Sequence, residues 1–187
     1  MRQKKMLEKI HSQIRASCPN EKAHDFIIYT DGSGYTDGYG GASSLMVSKK
    51  YGLRETRLIS YSHVTTDRAE FEALLSGLQS IVESMGWSKV SKVKELMELP
   101  VKPSVCWYTD RESLALAIWR DENGETIYKR KTSGDLWARF EFYEQIFDIS
   151  PFCIERNSTE EHAYVDKLAS ESRLIVKEYF EILKIDN

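Results

Sequence analysis

The chain has 187 residues, 41% of them hydrophobic and 29% charged, which suits one domain with a real core and argues against overall disorder. A net charge of −3 excludes a globally basic nucleic-acid binder, so any such site must be a local patch on an acidic surface. The three cysteines, Cys18, Cys106 and Cys153, form neither a disulfide framework nor a Cys-x-x-Cys pair, which points to a reducing compartment. No stretch approaches the length of a membrane span, so the expected location is the cytoplasm, or the host cytoplasm if the gene is viral.

Residues 1–22 read as an N-terminal helical extension, with Met6, Leu7, Ile10 and Ile14 at helical spacing on a basic segment. Glu8 and the lack of serine enrichment favour a helix packed on the domain over a transit peptide. A first strand is expected over 26–30, a turn at Asp31-Gly32-Ser33-Gly34, and a second strand over 42–47. The hairpin connection Lys49-Lys50-Tyr51-Gly52 leads to a third strand over 54–62. Thr66 or Asp67 can cap a helix whose Phe71, Leu74, Leu75, Leu78 and Ile81 share a face.

Residues 87–103 look like a helical insertion, with Trp87, Val90, Val93, Leu96 and Met97 on one side of a helix before Pro100 and Pro103. A fourth strand over 104–109 follows, then helices over 113–119 and 135–147 separated by a polar loop. Pro151 is expected to open a fifth strand ending near Arg156, before a long helix over 165–183. Three strands in hairpin succession and then strands alternating with helices describe an α/β domain over 25–183. Its core is a five-stranded mixed sheet, three antiparallel strands and then two parallel ones, flanked by helices.

Four carboxylates sit where strands end or helices begin: Asp31, Glu70, Asp110 and Asp166. A carboxylate at the C-terminal end of a sheet strand points into the crevice where α/β folds bind ligands. Several converging there repel one another unless a divalent cation sits among them. Each has a plainer reading: Asp31 in an Asx-turn, Glu70 and Asp166 as carboxylates favoured by a helix dipole, Asp110 as a cap. Glu72 falls about 200° around the helix from Glu70 and faces elsewhere. Taken together and in order, the four favour a metal-dependent nuclease.

The order of motifs resembles the type I ribonuclease H family. Tyr29-Thr30-Asp31-Gly32-Ser33, Thr65-Thr66-Asp67-Arg68-Ala69-Glu70, Tyr108-Thr109-Asp110, Asp135-Leu136-Trp137 and Val165-Asp166-Lys167-Leu168-Ala169 carry the likeness. The resemblance implies cleavage of the RNA strand of an RNA–DNA hybrid, leaving 5′-phosphate and 3′-hydroxyl ends. It implies two Mg²⁺ ions, replaceable by Mn²⁺, roughly 3.5–4 Å apart. Asp31 would bridge them, with Glu70 and Asp110 on the leaving-group ion and Asp166 on the water-activating ion. The expected partner is the hybrid; no protein partner is implied.

The same resemblance places Thr65 and Arg68 on a phosphate of the DNA strand. Asp67 stands where the resembled family usually has an Asn that contacts the minor groove, Thr66 where it often has another Asn, and Arg111 replaces a serine. Arg156 occupies the position of a mobile family histidine and is expected to bind substrate, whereas His162 stands one helical turn before Asp166. His162 is expected either to assist catalysis, protonated beside the carboxylates, or to cap the helix in solvent. The basic protrusion of some relatives is missing, and Lys89, Lys92 and Lys94 are candidates to replace it, the alternative being a solvated surface. Two other functions fit the fold: an integrase- or resolvase-like nuclease acting on DNA, and a non-catalytic binding domain.

Overall fold

A computed structural model describes residues 2–15, 18, 21–34, 38–121, 123–126 and 133–185. Helix α1 (Arg2–Arg15) precedes a hairpin run of β1 (Phe26–Gly34), β2 (Gly40–Ser48) and β3 (Leu53–Tyr61). Helices α2 (Thr66–Ser84) and α3 (Val90–Met97) lead to β4 (Ser104–Thr109), α4 (Glu112–Ile118) and α5 (Gly134–Ile146). The chain closes with β5 (Asp148–Cys153) and α6 (Glu160–Ile185). The sheet has five strands in the order β3-β2-β1-β4-β5. β1 pairs antiparallel to β2 and parallel to β4, and β5 runs parallel to β4 at the edge.

Alternation of side chains across each strand builds two layers. Phe26, Ile28, Val105 and Trp107 enter the main core with Phe71, Leu74, Leu75 and Leu78 of α2 and with Leu136 and Phe140 of α5. Ile27, Tyr29, Cys106 and Tyr108 face the other way, toward Val165 of α6. Ile10 and Ile14 of α1 are buried in the main core, and His11 and Arg15 both bind Glu112 of α4. The side chains of Met6 and Leu7 lie outside the described residues.

Several boundaries differ from the sequence reading. β1 runs on through Asp31-Gly32-Ser33-Gly34, which pairs with Gly40 to Ser43 instead of turning. The glycines serve close approach there: a Cβ on Gly32 would lie 2.2 Å from the backbone nitrogen of Glu70, and one on Gly34 2.5 Å from that of Thr66. Pro151 lies inside β5, opposite Trp107, where an edge strand tolerates the missing N–H. Thr65, not Thr66 or Asp67, caps α2, its hydroxyl accepting from the Arg68 backbone N–H at 3.3 Å. The helix expected over 87–99 shortens to Val90–Met97, and Val90 is 73% exposed while Leu96 carries the packing.

Candidate active site

Tyr29 of β1 and Tyr108 of β4 are partners in the parallel register and stack with ring centroids 5.1 Å apart. Asp31 and Asp110 each follow two residues later, so they stand at the same height on neighbouring strands. Thr30 fixes that level, its Oγ1 accepting from the Trp107 indole N–H at 2.8 Å. Glu70 reaches the same place because Gly32 lets the first turn of α2 lie directly on β1. Asp166 comes from α6, which approaches β2 closely because a Cβ on Gly41 would sit 2.2 Å from the Ala169 carbonyl oxygen.

Asp31 and Glu70 are 3% and 2% exposed, and neither forms an ion pair among the described residues. Burial first, then Asp110 and Asp166, push the Asp31 carboxyl up to about 7, against a smaller opposing pull from Arg156. Glu70 is raised well above the ordinary carboxylate range by burial and by Asp31 and Asp110, despite a hydrogen bond from the Gly32 backbone. Its Oε2 is buried without a hydrogen-bond partner. Carboxylates that resist ionisation because they are buried among other carboxylates, with an orphaned oxygen among them, suit a divalent cation: hard oxygen donors are what Mg²⁺ and Mn²⁺ take.

His162 is not the solvent-exposed cap, and the protonated form expected of it is not favoured. It is fully buried, and one of its ring nitrogens lies within 4.8 Å of carboxylate oxygens of Asp31 and Asp110. Thr159, not His162, caps α6, its Oγ1 accepting from the His162 N–H at 3.1 Å. Burial lowers the His162 pKa and outweighs the opposite influence of Asp110 and Asp166, so the protonated form is not favoured. The Asn157 backbone N–H donates to Nδ1 at 3.2 Å. A neutral imidazole so held carries its proton on Nε2, which is buried without a partner. A metal-ligating histidine donates its other ring N–H outward; here that nitrogen is an acceptor, so Nε2 offers a donor and not a lone pair.

Around the carboxylates stand arginines, each tied to an acid. Arg68 forms a bidentate pair with Asp135, Arg111 pairs with Asp67, and Arg156 binds Asp166 through two nitrogens. Asp67 and Arg111, both departures from the family pattern, are thus each other's partners. Thr66 donates to the Gly34 carbonyl at 3.1 Å. Sequence reasoning missed Arg139, which donates to the buried Glu72 at 2.8 Å. It also missed the Asn157 backbone contact, for which only the place of Asn157 beside Arg156 was a signal. A cleft of about 670 Å³ opens beside Asp110, lined by Tyr29, Tyr108, Glu112, Cys153, Glu155 and Ser158 among others.

Lys89, Lys92 and Lys94 are not brought to the site. α2 starts at the carboxylates and runs away from them, and α3 follows its far end, where β4 enters the sheet. The lysines are exposed, Lys92 pairs with Glu95, and Lys102 caps the end of α5 by donating to the Glu144 carbonyl at 2.8 Å. No helix is long and apolar enough to cross a membrane among the described residues.

No family model and no curated protein matches the chain. Solved structures do. A ribonuclease H1 bound to an RNA/DNA hybrid is 19% identical, with a TM-score of 0.54 over 81% of this chain and 98% of that one. A ribonuclease H1 isolated from compost is 20% identical, with a TM-score of 0.53 over 82% and 98%. The foamy viral protease-reverse transcriptase with double-stranded DNA is 14% identical, with a TM-score of 0.55 over 82% and 96%. Together with the mixed sheet and its strand order, these likenesses establish that the chain has the ribonuclease H-like fold.

Proposed function

We propose that the chain is a metal-dependent endoribonuclease that hydrolyses the RNA strand of RNA–DNA hybrids, with residues 25–183 as its catalytic unit. The observation that carries this reading is the meeting of Asp31 and Glu70, buried and unpaired, with Asp110 and Asp166. These four would hold two Mg²⁺ or Mn²⁺ ions, which when bound supply an activated water and Lewis-acid stabilisation of the leaving 3′ oxygen. The burial of Asp31 and Glu70 excludes water from one side of the site and fixes their orientation before substrate arrives.

The surrounding side chains divide the remaining work. Arg68 and the Thr65 hydroxyl bind a phosphate of the DNA strand, with Arg68 exchanging Asp135 for the phosphate oxygens. Thr66 anchors this turn to β1, and Arg111 holds Asp67 so that its carboxylate does not repel the backbone. Arg156 neutralises Asp166 in the free protein and would be released to bind substrate if Asp166 held a cation. His162 holds the Nε2 proton toward the carboxylates as a fixed donor. Lys89, Lys92 and Lys94 take no part.

The test is cleavage of end-labelled hybrid, duplex DNA, duplex RNA and single strands in Mg²⁺ and in Mn²⁺. Cleavage confined to the RNA strand of the hybrid, leaving 5′-phosphate and 3′-hydroxyl ends, is the expected result. Preferential cutting of duplex DNA would move the chain to the integrase- or resolvase-like branch. Binding without cleavage of any substrate in either metal would overturn the enzymatic reading.

A further inference from the structure

On the face of the sheet turned away from the main core, Cys18, His24 and Cys106 meet. Both sulfurs and one imidazole nitrogen lie within 4.8 Å of one another. Cys106 is fully buried in the middle of β4, and Cys18 is buried just after α1. His24 is half-buried, yet its Nδ1 is screened from solvent and has no hydrogen-bond partner. An imidazole nitrogen shut away from water without a partner is costly to leave so, and two thiols lie close to the same ring.

We propose that Cys18, His24 and Cys106 bind one Zn²⁺ ion that clamps the N-terminal segment to the sheet. Two sulfurs and an imidazole are the borderline-soft donor set that selects zinc and that hard Mg²⁺ avoids. Tetrahedral zinc, with Zn–S of about 2.3 Å and Zn–N of about 2.0–2.1 Å, needs its ligand atoms roughly 3.5–3.8 Å apart. Closing from separations of no more than 4.8 Å takes at most about 1 Å, within the reach of side-chain rotation. Binding displaces the two thiol protons to solvent, leaving thiolates on the metal. The fourth position falls to water or to the nearby Glu21 carboxylate, whose Oε2 now accepts from the Tyr108 hydroxyl at 3.0 Å.

The three donors come from separate parts of the chain, the segment after α1, the segment before β1 and the middle of β4. Ile14 is buried in the main core while Cys18, four residues on, is buried in the cluster on the opposite face. His24 follows a single tight helical turn, Glu21–Ala23, before β1 begins. A metal joining Cys18, His24 and Cys106 would tie this segment to the middle of β4. That gives the N-terminal extension a structural task separate from the carboxylates.

The experiment uses the full chain, purified without chelator, with zinc measured by mass spectrometry of the metal. About one equivalent of zinc is expected. After chelator treatment, Co²⁺ should restore a thiolate-to-metal charge-transfer band that an all-oxygen site cannot produce, and Zn²⁺ should erase it. Cys18→Ser and His24→Ala should each weaken zinc binding at least about 100-fold, since even residues supporting a ligand cost 10–100-fold. Asp31→Asn should keep the band, which separates this site from the carboxylates whatever the enzyme assay shows. The chelated protein should also be cut by protease between Arg15 and Glu21 faster than the zinc form. No charge-transfer band, full zinc retention in both variants, or a Cys18–Cys106 disulfide in the native protein would overturn the proposal.

Discussion

The inner carboxylates and the outer arginines handle charge in opposite ways. Asp31 and Glu70 are buried and unpaired, and burial first, then neighbouring carboxylates, pushes both toward neutrality, an arrangement that costs stability. Arg68, Arg111 and Arg156 lie farther out, each paired with an acid, in pairs that face solvent and contribute little apiece. The inner groups are built for a ligand much stronger than a side chain, a divalent cation. The outer pairs are built for exchange, because a phosphate can replace the acid at small cost.

The most severe way to break this contrast is Asp31→Asn, which keeps the shape and removes the inner charge. Losing a cation's contribution of several kcal/mol should lower cleavage at least about 10³-fold while hybrid binding stays measurable. The same variant tests the stored repulsion. With its folded pKa at about 7 against an ordinary 3.8, Asp31 is neutral in both states below about pH 4 and carries no penalty there. From there to pH 7 the unfolded chain gives up the proton and the folded protein keeps it, so stability falls with rising pH. The loss reaches up to about 4 kcal/mol at neutrality. Urea unfolding without metal should therefore show the parent falling relative to Asp31→Asn between pH 4 and 7, and saturating Mg²⁺ should remove the difference. A constant difference across that range would contradict the buried-repulsion account.

His162 belongs to the inner group by position and to the outer one by chemistry, being a donor. His162→Ala should lower turnover about 10–100-fold, the range for residues that orient a metal site, with a smaller effect on substrate binding. His162→Gln, whose amide can place a donor near the Nε2 position, should recover part of the loss. Because burial lowers the pKa, the parent imidazole is neutral above pH 7 and the alanine defect should be constant there. On the acidic limb, protonation of Nδ1 sets it against the Asn157 N–H, and the alanine variant should lack that component of the fall. Equal turnover in parent and alanine forms would remove His162 from the mechanism.

The outer pairs should respond more gently. Arg68→Ala should raise the Michaelis constant several-fold with turnover little changed and reduce the salt slope of binding by about one, and Arg111→Ala should raise the constant by freeing the Asp67 carboxylate to repel the backbone. Asp135→Asn releases Arg68 from its partner and should shift the constant the other way. If these variants lower turnover and leave the salt slope alone, the arginines organise the carboxylates and do not bind phosphate.

Strand order was legible because it follows from hairpin spacing and helix alternation, and the acidic positions were legible because their short motifs stand near strand ends and helix starts, although Asp31 lies within β1. What escaped was decided by contacts distant in sequence. Asp-Gly-Ser-Gly has turn composition, yet it continues β1 because its glycines let α2 press against it. The burial of His162 comes from the packing of the loop around Asn157 against α6, which no local pattern displays. The pairing of Asp67 with Arg111 joins residues 44 apart, visible beforehand only as two separate departures. The Cys18–His24–Cys106 cluster likewise has no motif spacing, since its third member is on β4.

The lysine segment gives the smallest expected effect, and topology decides it. Its charge run suggested a phosphate grip, but α2 carries the chain from Glu70 to Ser84, about 21 Å at 1.5 Å per residue, before α3 begins. That separation exceeds a Debye length of about 8–10 Å at ordinary salt, so charges there are screened from a phosphate at the carboxylates. Substituting Lys89, Lys92 and Lys94 together by alanine should leave the Michaelis constant and the salt slope unchanged. Stability should move by no more than about 0.5 kcal/mol, as for exposed positions away from special contacts. A flattened salt slope would mean that the hybrid extends past the far end of α2, and the contrast between inner acids and outer cations would then need a third, more distant element.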